Sequence, residues 1–149
     1  MPAVATNPAA CNCLALRQAA RHVTKIYDQF LAPSGLRATQ YSILARLQRR
    51  GAMTINELAA ELVMDRTTLG RNILPLQRDG LIGVAPGKAD RRSKELRLTT
   101  AGLARFRAAL RSWQDAQTRF ETAFGPRRAE ALRTLLEDVT SPEPTVAAQ

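Results

Sequence analysis

Residues 54–102 read TINELAAELVMDRTTLGRNILPLQRDGLIGVAPGKADRRSKELRLTTAG, and the change of period inside this stretch decides the fold. Thr54 is followed three residues later by Glu57, a capping box in which each side chain satisfies a backbone N–H that the first helical turn leaves unpaired. Ile55, Leu58, Ala59 and Leu62 then recur at i, i+3, i+4 and i+7, the buried stripe of a short helix. Val63 and Met64 make a turn, Asp65 is placed to cap a second helix, and Gly80 suits the left-handed position just past its end. At about 100° per residue, Leu69, Ile73 and Leu76 face inward while Thr67, Arg71, Leu74 and Arg78 face out. Pro75 removes the hydrogen bond to the Arg71 carbonyl, which predicts a bent or shortened C-terminal half.

After Gly80 the period changes to two. Residues 81–84 and 94–99 read as paired strands, with Pro86, Gly87 and Asp90 as the turn chemistry between them. Leu96 and Leu98 alternate with Glu95 and Arg97, so one face packs on the helices and the other meets solvent. Two helices, a hairpin and the start of a further helix at Thr100 form a winged helix-turn-helix, mainly α with a small β-hairpin wing. An outward face with two arginines and a hydroxyl suits phosphates and guanine edges. Thr67, Thr68 and Arg71 are the candidates for base edges, Arg66 and Arg78 for phosphates. The wing tip, from Lys88 through Asp90, Arg91 and Arg92 to Lys94, is too polar for a core, and a protruding arginine there fits a narrow, negative minor groove.

The charge agrees with a polyanionic partner. Lys+Arg 22 against Asp+Glu 13 leaves a net charge of +9 on 149 residues. Between 65 and 97, eight basic residues stand against four acidic ones, so the excess falls on the reading unit rather than being spread evenly. The length fits one domain that buries a core without disulfides or metals. No apolar run approaches the roughly 20 residues of a membrane span, and the N-terminus lacks the pattern of a secretory signal, so the expected place is the cytoplasm. One histidine, no nucleophile with a base and no Gly-rich phosphate loop leave catalysis without its parts, and no cofactor or metal is expected.

Helices flank the reading unit. From about Cys11 to Leu31, Cys13, Leu16, Ala20, Val23, Tyr27 and Phe30 step by three and four, a heptad seam. Leu103, Phe106, Leu110, Trp113, Gln117, Phe120 and Phe124 repeat that spacing on one long helix, which Gly125 stops. Pro126 opens a last helix with Ala129, Leu132, Leu135, Leu136 and Val139. Residues 35–48, with Tyr41, Leu44, Ala45 and Leu47 inward, link the first helix to the reading unit. Seams at both ends of a chain whose middle is already compact predict burial between two copies in a two-fold dimer. The resulting division is 1–10 and 141–149 as loose tails, 11–34 and 100–140 as dimerisation helices, and 35–99 as the DNA-binding region.

Several of these residues carry a family likeness. Gly35-Leu36 with Gln40-Tyr41, Ile55-x-x-Leu58-Ala59, Leu76-x-x-x-Gly80-Leu81-Ile82, and Asp90-Arg91-Arg92-Ser93 leading to Leu98-Thr99-Thr100-Ala101-Gly102 together resemble the MarR family of bacterial transcription regulators, from about Cys13 to Leu136. The resemblance implies interleaved terminal helices in a homodimer. It also implies a wing arginine, here Arg92, entering the minor groove of double-stranded DNA, braced by Asp90, with Arg91 sharing either role. Two recognition helices about 34 Å apart then predict a palindromic operator. The expected function is repression, relieved by a small aromatic or phenolic effector between the dimer helices and the reading unit, with Arg21, His22 and Tyr41 as its candidate contacts.

Two other inputs remain open. Cys13-Leu14-Ala15-Leu16 with Tyr27 is similar in register to the organic-hydroperoxide repressors of that family, which makes Cys13 a candidate redox thiol near a helix N-terminus. Arg17 and Ala38 stand where further assisting tyrosines belong, and the plain reading of Cys13 is a small buried apolar residue. Cys11 and Cys13, two apart on one helix, are poor partners for a bridge. The remaining alternative is an architectural protein that coats DNA through phosphates alone.

Overall fold

Most helices begin where the sequence supplies a side-chain cap, at Cys11, Thr54, Asp65 and Thr99. The computed structural model describes residue 4 and residues 6–141; the remainder of both expected tails, residues 1–3, 5 and 142–149, lies outside the described residues. The N-terminal stretch is not wholly irregular, because Pro8–Ala10 form a 3-10 turn capped by the Asn7 side chain. Helix α1 spans Asn12–Leu31, α2 Ala38–Arg50, α3 Ile55–Glu61, α4 Arg66–Arg78, α5 Thr100–Phe124 and α6 Pro126–Thr140. Strands β1 (Met53–Thr54), β2 (Ile82–Pro86) and β3 (Lys94–Leu98) make an antiparallel sheet in the order β1-β3-β2.

The linking helix starts at Ala38 rather than Gly35, since Gly35 is left-handed at φ 76° and ends the preceding 3-10 turn. A side chain from α1 closes that start: the Ala38 N–H donates to the Asp28 carboxylate at 2.7 Å. The Thr54–Glu57 capping box forms in both directions, at 3.2 and 2.8 Å. Helix α4 keeps its last turn through Arg78 despite Pro75, so the expected loss of that turn does not occur. Ile73 and Leu76, buried on either side of the proline, hold that turn against the core. It ends in a Schellman motif, with Leu81 N–H on the Leu76 carbonyl and Gly80 N–H on that of Gln77. Gly80 takes φ 72° there.

The hairpin register pairs Ile82 with Leu98, Val84 with Leu96 and Pro86 with Lys94. Pro86 thus ends β2 instead of entering the turn, tolerated because β2 is an edge strand. β1 was not expected: Met53 pairs with Leu96 and ties the entrance of α3 to the wing.

The core centres on Leu31, Ile43, Leu44, Leu47, Leu58, Leu69, Leu76 and Leu96, all fully buried. At about 1.5–3 kcal/mol for each such side chain, these residues dominate what holds α2, α3, α4 and the wing together. On α5 the buried line is Gly102, Ala109 and Ala116, one heptad apart, rather than the larger residues of the expected seam. Small side chains let α1 and α2 approach this helix closely, while Phe106 and Trp113 flank the line and stack on Tyr41 of α2 at 5.2 and 5.9 Å. Leu110, expected on the seam, is 36% exposed. The N-terminal half of the α1 seam, Cys13, Leu16 and Ala20, is exposed as well.

Candidate nucleic-acid interface

Helix α4 presents its outward face on a firmly built N-terminus. The Asp65 carboxylate accepts from the Thr68 N–H at 2.9 Å and from the Thr68 hydroxyl at 2.5 Å. Those bonds, the hydroxyl first, hold the Asp65 carboxyl below its ordinary value. Asn72 continues the brace by donating to the Thr68 carbonyl at 2.9 Å. Thr68 therefore has its proton committed to the cap, whereas Thr67 and Arg71 stand exposed with no such tie. Arg78, 75% exposed, lies 3.6 Å from Asp79, a contact that a phosphate can displace because an exposed pair is weak.

The wing is shaped by Asp90. Its carboxylate accepts from the Arg92 N–H at 2.9 Å, and its carbonyl accepts from the Ser93 N–H at 3.1 Å and the Ser93 hydroxyl at 2.7 Å. Asp90 therefore holds the backbone of Arg92, whose guanidinium forms no ion pair among the described residues. Gly87 closes the loop with its N–H on the Ser93 carbonyl at 2.8 Å. A Cβ at Gly87 would meet the Ser93 hydroxyl at 2.5 Å and the Asp90 carbonyl at 2.6 Å, so only glycine fits.

Recognition helix and wing meet at a cleft of about 290 Å³, where Arg66, Arg92 and Lys94 converge with Asn56 and Ser93. No carboxylate lines it. Lys88 and Arg91 line a second, shallower recess beside it on the wing, of about 440 Å³. Among the described residues none of Arg66, Arg71, Lys88, Arg91, Arg92 and Lys94 forms an ion pair. Asn56 and Asn72 are not singled out by the sequence, since single polar residues on a helix carry no periodic signal of their own.

The three expected effector contacts do not come together. Arg21 lines one cavity on α1, His22 a second between α1 and α5, and Tyr41 a third between α2 and α5. Residues 21 and 22 lie about 100° apart on their helix, which sends them to different sides. Tyr41 is 6% exposed, and burial raises its phenol pKa. Its cleft, about 370 Å³, adds Arg46, Arg49, Leu62 and Trp113 to the wall. Arg46 reaches Glu61 only at 3.8 Å, while Arg50 holds that carboxylate closely.

Cys13 is exposed, so its reading as a buried apolar residue does not hold. Cys11 lies just outside α1 in extended conformation and caps it, its Sγ accepting from the Leu14 N–H at 3.4 Å. Tyr27 is turned to other work: its hydroxyl donates to Gln117, and burial first, then the Glu121 charge, raises its pKa. Fourteen residues, about 21 Å along a helix, separate it from Cys13 of the same chain.

Comparison with known proteins gives one pattern. A model described as the MarR family matches residues 36–94. The chain is 38% identical to the Mycobacterium tuberculosis transcriptional regulator MosR solved in complex with DNA, with a TM-score of 0.74 over 84% of this chain and 92% of that one. It is 31% identical over 90 residues to the transcriptional activatory protein BadR of Rhodopseudomonas palustris. That alignment takes in 58% of this chain and 51% of BadR, so it spans about half the length of that relative. Bordetella bronchiseptica BpsR, whose DNA binding is regulated by 6-hydroxynicotinic acid, shares the fold alone, at 22% identity and a TM-score of 0.81 over 94% of this chain and 100% of that one.

Proposed function

This chain belongs to the MarR family, and from that premise we propose that it is a transcriptional regulator, a repressor that binds a palindromic operator as a homodimer and leaves it when a small aromatic acid binds. The observation that carries the DNA reading is the convergence of Arg66, Arg92 and Lys94 on one cleft without a carboxylate, beside an outward Thr67 and Arg71. Unpaired cations on one surface attract a phosphate backbone, and hydroxyl and guanidinium groups on the exposed helix discriminate bases. MosR was solved with DNA, which supports the same docking here.

Dimerisation is supported by the apolar surface left at both ends of the chain. Leu16 is 41% exposed, Leu135 63% and Val139 63%, apolar positions on α1 and α6 left uncovered by the described residues. The effector belongs in the cleft of Tyr41 and Trp113: aromatic faces and Leu62 accept a ring, while Arg46 and Arg49 offer two cations to a carboxylate. This replaces the Arg21 and His22 contacts of the sequence reading.

Nucleotide-resolution footprinting on DNA upstream of the protein's own gene tests the central proposal. A short protected palindrome supports the regulator, and uniform protection shifts the assignment to a DNA-coating protein. A promoter–reporter assay then reads the sign of regulation; BadR, one relative, is an activator by name. For the effector, benzoate, salicylate and 6-hydroxynicotinate are titrated while the melting temperature is followed; a rise lost in Arg49→Ala supports the cleft, and no rise with any of them removes it. A second reading rests on the exposure of both thiols at the start of α1. In it, oxidation of Cys13 by an organic hydroperoxide releases DNA, and release that persists in Cys13→Ser eliminates it.

A further inference from the structure

Gly70 has no reason within the protein to be glycine. It sits mid-way along α4, where glycine is a poor helix former because it loses most backbone freedom on folding. Its φ is not positive, unlike that of Gly35, Gly51, Gly80 and Gly125. A Cβ added there meets nothing within 4 Å, so neither packing nor close approach of another element excludes a side chain. Alanine would fit and would strengthen the helix.

Gly70 itself is half-buried, at the edge of the outward face of α4. Thr67, Gly70 and Leu74 recur at i, i+3 and i+7, which places them on one stripe. Thr67 is exposed and Leu74 is 65% exposed, so both side chains are open to a partner. A missing side chain between a threonine and a leucine leaves an apolar notch about one methyl group wide, and Arg71 stands next to it on the outward face.

We propose that Thr67, Gly70 and Leu74 form a notch that receives the 5-methyl group of a thymine in the major groove, making Gly70 a specificity-determining residue. The inference rests on the reading of α4 as the helix that enters that groove. In the major groove thymine alone carries a methyl group, and apolar side chains are its usual contacts. Arg71, one position on, then reaches the neighbouring base pair.

The test uses the full chain and a duplex selected by it from a randomised library. Each thymine of the selected half-site is replaced in turn by deoxyuridine, which removes the methyl and changes nothing else. One position per half-site should weaken binding about fourfold, from the transfer free energy of one methyl, and about fifteenfold when both halves are changed. Gly70→Ala should raise the melting temperature by about 2–4 °C, weaken binding to the thymine duplex, and respond no further to deoxyuridine. A selected half-site without an invariant thymine, indifference of the native chain to every substitution, or a Gly70→Ala protein that keeps its sensitivity overturns the notch. Arg71→Ala and Arg92→Ala separate the two levels: if both weaken binding while Gly70→Ala behaves as native, the notch alone fails. If neither weakens binding, the docking of α4 fails and the notch with it.

Discussion

Gly102→Ala should damage the joint between the wing and α5. A Cβ at this position would stand 2.0 Å from the Leu81 carbonyl oxygen, 2.8 Å from Leu98 Cδ1 and 2.9 Å from the Leu81 carbonyl carbon. Ordinary contact begins near 3.4 Å, so the backbone at Leu81 must retreat by more than an ångström. It is not free to do so, because that oxygen accepts from the Thr99 N–H at 3.2 Å and Leu81 itself closes the end of α4. Overpacking of this kind costs about 3 kcal/mol, and the better helix propensity of alanine returns about 1 kcal/mol. The net loss of about 2 kcal/mol corresponds to a melting temperature lower by about 4–8 °C for a chain of this size. Differential scanning calorimetry at fixed protein concentration reads it directly. A melting temperature equal to or above that of the native chain would refute the reasoning, since it would mean that wing and helix are not held at the observed distance.

Four further predictions concern the interface and the chain ends. Arg92→Ala should leave the melting temperature unchanged, weaken binding, and flatten the salt dependence by about one unit per subunit, as read from mobility shifts at several salt concentrations. Asp90→Ala should also weaken binding although it removes no cation, whereas Asp90→Asn should keep it, because an asparagine carbonyl still accepts from the Arg92 N–H; equal losses in both variants would assign Asp90 a role other than loop shape. Leu135→Glu should convert a dimer to a monomer in analytical ultracentrifugation, and an unchanged sedimentation coefficient would leave α6 outside the interface. The Asp65 cap should be acid-sensitive: its folded pKa lies below the unfolded value of about 3.9, so its contribution is present above that value and is lost as pH falls through the lowered one. The melting-temperature gap between native and Asp65→Ala should accordingly close in strong acid, and a gap independent of pH would contradict the cap.

The local signals in the sequence specify the reading unit closely. Thr54 with Glu57, Asp65 and Gly80 each act within four residues of themselves, so their chemistry is visible without knowledge of the fold. The hairpin follows for the same reason, set by alternation and a polar turn. Strand β1 is different: two residues have no period, and only the approach of Leu96 from forty-odd positions away makes Met53 part of a sheet. Arg21, His22 and Tyr41 likewise share chemistry but not a direction in space, and within the chain they line three separate cavities. On α5 the apolar seam hides the residues buried within the chain, Gly102, Ala109 and Ala116, because small side chains carry little weight in a hydrophobic pattern. Cysteine behaves as a small apolar residue, which favours burial of Cys13, yet within the chain both Cys13 and Cys11 are exposed.

One hydroxyl links the reading unit to the long helix. Thr99 Oγ1 donates to the Gly80 carbonyl at 2.6 Å, just past the end of α4, and accepts from the Gly102 N–H at 2.9 Å, in the first turn of α5. Helix α5 has 25 residues, hence a length of about 37 Å. Its first turn is thereby tied to the end of α4, while Phe106 and Trp113 further along stack on Tyr41 of α2, so a tilt of α5 carries the reading unit with it. A tilt of about 5° at the far end displaces that first turn by about 3 Å, and in a dimer two such displacements add or cancel across an operator whose successive grooves are spaced by about 34 Å. In such a dimer a small change in the angle between the two long helices alters the groove spacing they span without altering α4 itself.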